Sequence, residues 1–255
     1  MSGLLKGKRI LVTRPEARAA SLIAKVTSLG ARAICLPAIR FEPVADSSEL
    51  DTALREAGTY DVIVFTSVTG VEAVSARMIE LRLSTDAIRG RKLAVIGPAT
   101  AAAVEKWLRK PDTMPNEYVA EAIADALGGV AGMRILLLRA DLARRDLHEI
   151  LSAKGAAVEE VSAYRIVAAS VETFDWSMPA PDIITFTSAA SARFVAETLT
   201  SNGRTDWLGS GAIVCIGPIT RDAVLEMGFK VTATAAEYTE AGLVKAMMGL
   251  EFAHA

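Results

Sequence analysis

A chain of 255 residues holds one large domain or two small ones, and 51% hydrophobic content with a mean hydropathy of +0.32 excludes a disordered protein. A formal net charge of −2 gives no field that would draw nucleic acid, so an anionic ligand must find a local cluster of Arg. There is no run of signal-peptide or membrane-span length. With only Cys35, Cys215, His148 and His254 to consider, a disulfide scaffold and a His-based metal site are also excluded, and a soluble cytoplasmic protein is expected.

In chain order the predicted elements alternate between strand and helix. "KRILVT" at 8–13 reads as a strand, and residues 16–29 follow with Ala19, Leu22, Ile23, Val26 and Leu29 at helical spacing. Gly30 is placed as the residue just past that helix, and "RAICLP" returns as a strand. A polar, helix-like 48–57 leads to a strand at 61–65. A helix carrying Val71, Val74, Met78 and Leu81 comes next. "KLAVIG" is the fourth strand, followed by an Ala-rich helix with Pro98 at its first position, and residues 118–128 close the unit.

The second half repeats the first. "RILVTRP" at 9–15 matches "RILLLRA" at 134–140, and "LGARAICLP" from Leu29 matches "KGAAVEEVS" from Lys154, both offset by 125. "DVIVFTS" at 61–67 matches "DIITFTS" at 182–188 at an offset of 121. "AVIGPAT" at 94–100 matches "VCIGPIT" at 214–220, and the segments around Tyr118 and Tyr238 also match, both at an offset of 120. The chain is two copies of one α/β unit, and a doubly wound, flavodoxin-like parallel sheet is expected from each. "AICLPAIRFEPV" at 33–44 and "AVEEVSAYRIVA" at 157–168 are over-long for single strands. They can run on as a double connection between two bodies, or the chain can be two plain tandem domains.

Candidate binding residues fall at strand ends, where open α/β folds take their ligands. Thr66 and Ser67, with Thr187 and Ser188, sit at strand-to-helix junctions. They read either as helix caps or as part of an anion site built on free helix amides. Gly97 with Thr100, and Gly217 with Thr220, read as plain helix starts or as points where a ligand can approach the backbone. Arg14 and Arg139 close the first strand of each copy, where Arg suits carboxylates; Arg18, Arg144 and Arg145 nearby can equally be a solvated helix face. His148 is expected at the surface. "GLLKGKR" at 3–9 falls short of a P-loop, and no dinucleotide fingerprint, nucleophile elbow or zinc-spaced Cys pair occurs. Duplicated small-polar edges without acid–base machinery suggest a clamp for a polyanion.

The ordered series "RILVTRP", "DVIVFTS", "AVIGPATAAAV", "RILLLRA", "AYRI", "DIITFTS" and "CIGPITRDAV" resembles the uroporphyrinogen-III synthase family across essentially the whole chain. The resemblance implies two flavodoxin-like lobes, 1–37 with 167–255 and 38–166, joined by a two-stranded connector near 36–43 and 161–168. It implies cyclisation of hydroxymethylbilane, with inversion of ring D and loss of water, without a cofactor. A monomer touching no membrane or nucleic acid is expected, with transient contact to the preceding pathway enzyme. Tyr164, in the place of the family's connector tyrosine, is the candidate proton donor; Ile166 departs from the Thr often found two residues later. Tyr164 also reads as a hinge-packing residue. Arg14, Arg139 and the small polar residues above would bind carboxylates. The other reading is a non-catalytic two-lobed sensor of a tetrapyrrole or another polyanion.

Overall fold

The computed structural model describes residues 5–117, 120–143 and 145–250. In chain order the first copy gives β1 (Arg9–Val12), α1 (Glu16–Ser28), β2 (Arg32–Cys35), β3 (Ile39–Glu42), α2 (Ser48–Arg55), β4 (Val62–Phe65) and α3 (Val68–Glu80). It continues through α4 (Asp86–Arg89), β5 (Lys92–Val95), α5 (Pro98–Trp107) and α6 (Ala120–Leu127). The second copy gives β6 (Arg134–Ala140), α7 (Asp146–Ala153), β7 (Ala157–Ala168), β8 (Ile183–Phe186) and α8 (Ala189–Ser201). It closes with α9 (Trp207–Ser210), β9 (Ala212–Cys215), α10 (Pro218–Glu226), β10 (Ala233–Thr234) and α11 (Glu240–Met248).

These strands form two five-stranded sheets, ordered β10-β9-β8-β1-β2 and β3-β7-β6-β4-β5. The four pairings of the first sheet, and the pairings of β7, β6, β4 and β5 in the second, are parallel. Numbered along the chain, the first sheet has the order 2-1-3-4-5, the doubly wound flavodoxin-like pattern. The two repeat copies exchange halves. Copy one gives β1 and β2 to the first sheet but β4 and β5 to the second, and copy two does the converse. The chain accordingly divides into two compact units, Met1–Arg40 with Val167–Ala255, and Phe41–Ile166.

Both sheets are covered on both faces, so all four residues of β4 and of β8 are buried, and the one polar member, Thr185, donates its hydroxyl to the Leu11 carbonyl at 3.0 Å. Alternation then divides the side chains between two cores. Ile63, Phe65, Leu136 and Leu138 pack with α3, whereas Val62, Val64, Ile135 and Leu137 pack with Ile123 of α6 and Leu147 and Leu151 of α7. In the first sheet Leu11, Ile184 and Phe186 face α8, and Ile10, Val12 and Ile183 face α1.

The Asp that opens each repeated motif is a latch. Asp61 Oδ2 accepts from Arg134 N–H at 2.8 Å, and Asp182 Oδ2 accepts from Arg9 N–H at 2.8 Å. Each joins a strand of one copy to the start of a strand of the other, and Arg9 beside Asp182 also helps hold its carboxyl low despite burial. Gly30 has φ +84°, the left-handed turn expected just past α1.

The over-long stretches differ from one another. Residues 157–168 are one unbroken strand, β7. Residues 33–44 are interrupted: β2 ends at Cys35, and Pro37, which has no N–H to give a ladder, separates it from β3. β3 then pairs with β7 in the second sheet, not with its sequence neighbour β2.

Candidate active site

In the unit Phe41–Ile166, register brings the candidate residues to one edge. Phe65 is flanked by Leu138 and Val95, so Thr66, Arg139 and Ile96 extend past the ladder in one row, with Ser67 and Gly97 next. The chain leaves β6 toward β7 and β4 toward β5, so this edge is where the winding reverses, the usual ligand crevice of such sheets.

Tyr164 reaches this edge because β7 is irregular. Arg139 is level with Ser162, but Ala140 is level with Tyr164, so Ala163 is an extra residue on β7. A bulge re-aims the side chain that follows it. Here Ala163 and Tyr164, adjacent in sequence, both enter the core cluster that faces α3. Tyr164 is 7% exposed and its ring meets Phe41 edge-on at 5.6 Å. Its hydroxyl lies 3.1 Å from Ser67 Oγ.

Ser67 is the N-cap of α3, extended at φ −155° and ψ 154°, and its Oγ accepts from Gly70 N–H at 2.9 Å. Thr66 is half-buried beside it. Gly97 is buried and extended at the start of α5, with Pro98 at the first helical position and no side-chain cap; Thr100 in the same turn is buried. Tyr164, Thr69 and Ala163 also line a pocket of about 240 Å³ with Phe41, Glu42 and Leu50. Arg139 is buried with its Nη1 3.3 Å from Glu160 Oε2, and His148 Nδ1 lies 3.6 Å from the same oxygen. His148 is therefore half-buried against this ion pair, not a surface residue as its sequence suggested.

The other unit places the repeat-related residues on an equivalent edge. Val12, Thr185 and Val214 lie in one row, so Arg14 and Thr187 extend past it together, with Ser188 and Gly217 following. Ser188 caps α8, accepting from Ser191 N–H at 3.0 Å and donating to Ser191 Oγ at 3.0 Å. Gly217 starts α10 with Pro218 at the first position, and the Tyr238 ring lies so close that a Cβ there would sit 3.2 Å from its Cδ1. Thr220 is buried in that first turn. Arg14 forms an ion pair with Glu240, the first residue of α11, whose other oxygen takes Lys25 at 2.6 Å and Ser21 at 2.7 Å. Burial pushes the Glu240 carboxyl up, but Lys25, Ser21 and Arg14 outweigh it and hold it below its ordinary value.

Both strand-end arginines thus carry carboxylate partners that sequence reasoning did not anticipate, since Glu160 and Glu240 come from other elements. Gly70 was missed too, although the repeat contains the signal: its counterpart, offset by 121, is Ser191. The bulge has one sequence trace, the broken alternation at Val161, Ala163 and Tyr164. Arg145 is exposed at the start of α7, whereas Tyr118, Arg144 and His254 lie outside the described residues. Among the described residues no group of three or more His, Cys, Asp or Glu is placed to hold a metal ion, and no helix is long and apolar enough to cross a membrane.

Comparison with known proteins gives a consistent result. The family described as uroporphyrinogen-III synthase HemD matches residues 20–245. A uroporphyrinogen-III synthase from Synechococcus elongatus is 30% identical over 252 residues, 95% of each chain. A putative uroporphyrinogen-III synthase from Methanothermobacter thermautotrophicus is 30% identical over 250 residues, 92% of this chain and 96% of that one. Among solved structures, a uroporphyrinogen III synthase from Thermus thermophilus aligns with a TM-score of 0.67 at 16% identity, covering 94% of this chain and 96% of that one. One from Helicobacter pylori aligns with a TM-score of 0.60 at 15% identity, covering 94% and 97%. At such identities the structural matches speak for the fold.

Proposed function

The chain belongs to the uroporphyrinogen-III synthase family, and from that premise we propose that it closes hydroxymethylbilane to uroporphyrinogen III, inverting ring D and losing water. It is an enzyme of tetrapyrrole biosynthesis. The observation that carries the assignment of roles is Tyr164: a bulge turns its phenol onto the carboxyl edge of a parallel sheet, against the N-terminus of α3.

In this reading Tyr164 donates the proton that lets the terminal hydroxyl depart as water. A phenol can do so near neutral pH, and such help is worth roughly 10²–10⁴-fold. Carboxylates of the substrate bind at the helix starts behind Thr66–Ser67, Gly97 with Thr100, Thr187–Ser188 and Gly217 with Thr220, where first-turn amides and the helix dipole favour anions. Arg14 and Arg139 add positive charge at the two edges, each tempered by its glutamate. Holding the reacting rings in the geometry for attack supplies the remainder of the acceleration.

We further propose that a single copy of the chain suffices. It would work in the cytoplasm, where Cys35 and Cys215 stay reduced. Transient contact with the preceding enzyme would protect a substrate that otherwise closes unaided to the uninverted isomer. The deciding assay incubates the protein with fresh hydroxymethylbilane and separates the uroporphyrin isomers after oxidation. Production of the type III isomer without added cofactor is expected; type I alone, at the uncatalysed rate, overturns the proposal.

A further inference from the structure

A serine hydroxyl has two lone pairs and one proton to offer. At Ser67 one lone pair takes the Gly70 N–H at 2.9 Å, and the Tyr164 hydroxyl at 3.1 Å occupies another direction. Either hydroxyl can be the donor in this contact; once the single phenol proton is aimed at the departing hydroxyl, Ser67 Oγ donates to the phenol oxygen. With the phenol ionised, the same oxygen turns its own proton toward the phenolate while keeping the Gly70 N–H behind it. Negative charge on Tyr164 is thereby coupled, through one oxygen, to the N-terminus of the thirteen-residue helix α3.

The other copy of the repeat shows what this serine does without that partner. Ser188 makes the same cap with Ser191 N–H, but its proton goes to Ser191 Oγ, whose own proton goes back to the Ser188 carbonyl at 2.9 Å. The hydroxyl is consumed locally. In the first copy the position of Ser191 is taken by Gly70, which removes the competing hydroxyl and leaves Ser67 Oγ uncrowded. A Cβ on Gly70 would sit 3.2 Å from Ser67 Oγ, 3.4 Å from the Leu138 carbonyl and 3.8 Å from Tyr164 Cε1. The replacement of Ser191 by Gly70 and the register shift of β7 against β6 at Ala163 therefore serve one contact.

We propose that Ser67 is the positioning residue of the proton donor: it fixes the Tyr164 phenol and stabilises the phenolate left after proton transfer, and it is not itself a ligand for a substrate carboxylate. This rests on the role of Tyr164 proposed above. The carbon–oxygen bond of the hydroxymethyl group breaks, its electron pair leaves with the oxygen, and the Tyr164 proton completes a water molecule. Ser67 then donates to the phenolate. The proton that the substrate loses on ring closure returns to the phenol, so the enzyme is unchanged and the net loss is one water.

The test follows the Tyr164 phenol by carbon-13 NMR in protein labelled at the tyrosine Cζ, with Tyr164→Phe assigning the resonance. In Ser67→Ala the Tyr164 titration is expected to move up by about one pH unit, the size of one lost hydrogen bond to a charged group. Ser67→Thr should restore it and Ser188→Ala should leave it where it is. In the isomer-resolved assay Ser67→Ala should lose roughly 10-fold in kcat, with KM within about 2-fold, since only the transition state gains from the contact. An unmoved titration in Ser67→Ala, or an equal movement in Ser188→Ala, overturns the inference while leaving the wild-type activity standing. A wild-type protein that makes no type III isomer overturns the functional reading instead, whatever the titration shows. If Ser67→Ala does not fold, Gly70→Ser, which restores the competing hydroxyl of the other copy, must move the titration upward or the inference is lost.

Discussion

Ser67 and Ser188 end the same tripeptide, Phe-Thr-Ser, on the same kind of strand, and each caps a thirteen-residue helix at about the same distance. Their hydroxyls nonetheless serve different ends. Ser188 turns inward to Ser191, and Ser67 turns outward to Tyr164. The lesson is that the backbone scaffold of the repeat and its chemistry separate cleanly. Latch aspartate, buried strand, cap and helix are held in both copies, while the residue three positions into the cap and the register shift that brings Tyr164 decide whether the serine is consumed locally or offered to a neighbour.

The largest expected effect comes from removing that neighbour. Tyr164→Phe should lower kcat for the type III isomer by about 10²-fold without abolishing it, because a donor is lost but the ring-holding geometry is not. The isomer-resolved assay on protein whose fold is verified by circular dichroism decides the point. A fully active variant would return Tyr164 to a packing role beside Phe41, and with it the distinction between the two serines would lose its meaning.

Converting one copy into the other should have the next largest effect. Gly70→Ser installs the hydroxyl that Ser191 supplies in the second copy, and roughly a 10-fold loss in kcat is expected as Ser67 turns to it. Gly70→Ala is the necessary companion, because either substitution must press a Cβ against Ser67 Oγ and the Leu138 carbonyl. The serine variant should fall below the alanine variant. Equal activities would mean that crowding alone, and no diverted hydrogen bond, explains the loss.

Ser188→Ala sharpens the contrast from the structural side. It removes a helix cap and should cost about 1 kcal/mol of stability, read as a lower denaturant midpoint with an unchanged slope. Its effect on kcat should stay below that of Ser67→Ala, since the α8 amides remain to receive a carboxylate.

Much of this was legible in the sequence. Periodicity and the near-constant offset give the strands, the helices and the duplication, because buried parallel strands must be largely apolar and their helices must show a face. The two Phe-Thr-Ser junctions and the two Gly-Pro starts were legible as chemistry for the same reason: their backbone positions are set by local signals; Tyr164 was reached through the family resemblance. What stayed hidden depends on partners distant in the chain. Pairing of β3 with β7, the glutamates on Arg14 and Arg139, and the extra residue that turns Tyr164 are tertiary outcomes. A bulge has no propensity of its own, and an ion pair between residues 14 and 240 leaves no local pattern.

The smallest effect concerns those two arginines, which are repeat-related but differently partnered. Arg139 meets a glutamate from the next strand, whereas Arg14 meets Glu240 at the start of a helix, where a carboxylate also gains from the helix dipole. Glu240→Gln should cost roughly 0.5 kcal/mol at neutral pH. The sign of its pH dependence follows from a carboxyl held below its ordinary value in the folded protein. The stabilisation is complete above the unfolded-state value, about 4.3, and disappears as pH falls through the lowered folded-state value. The wild type and Glu240→Gln should therefore differ by a constant amount from pH 7 down to about 5 and converge in stronger acid. The same substitution leaves Arg14 without its counter-charge. If Arg14 binds a substrate carboxylate, KM should fall by about 2-fold in Glu240→Gln and rise in Arg14→Ala, a fold-change within reach of one partly buried ion pair. Movement of KM in the same direction in both variants would remove Arg14 from the binding site and leave it a structural partner of α11.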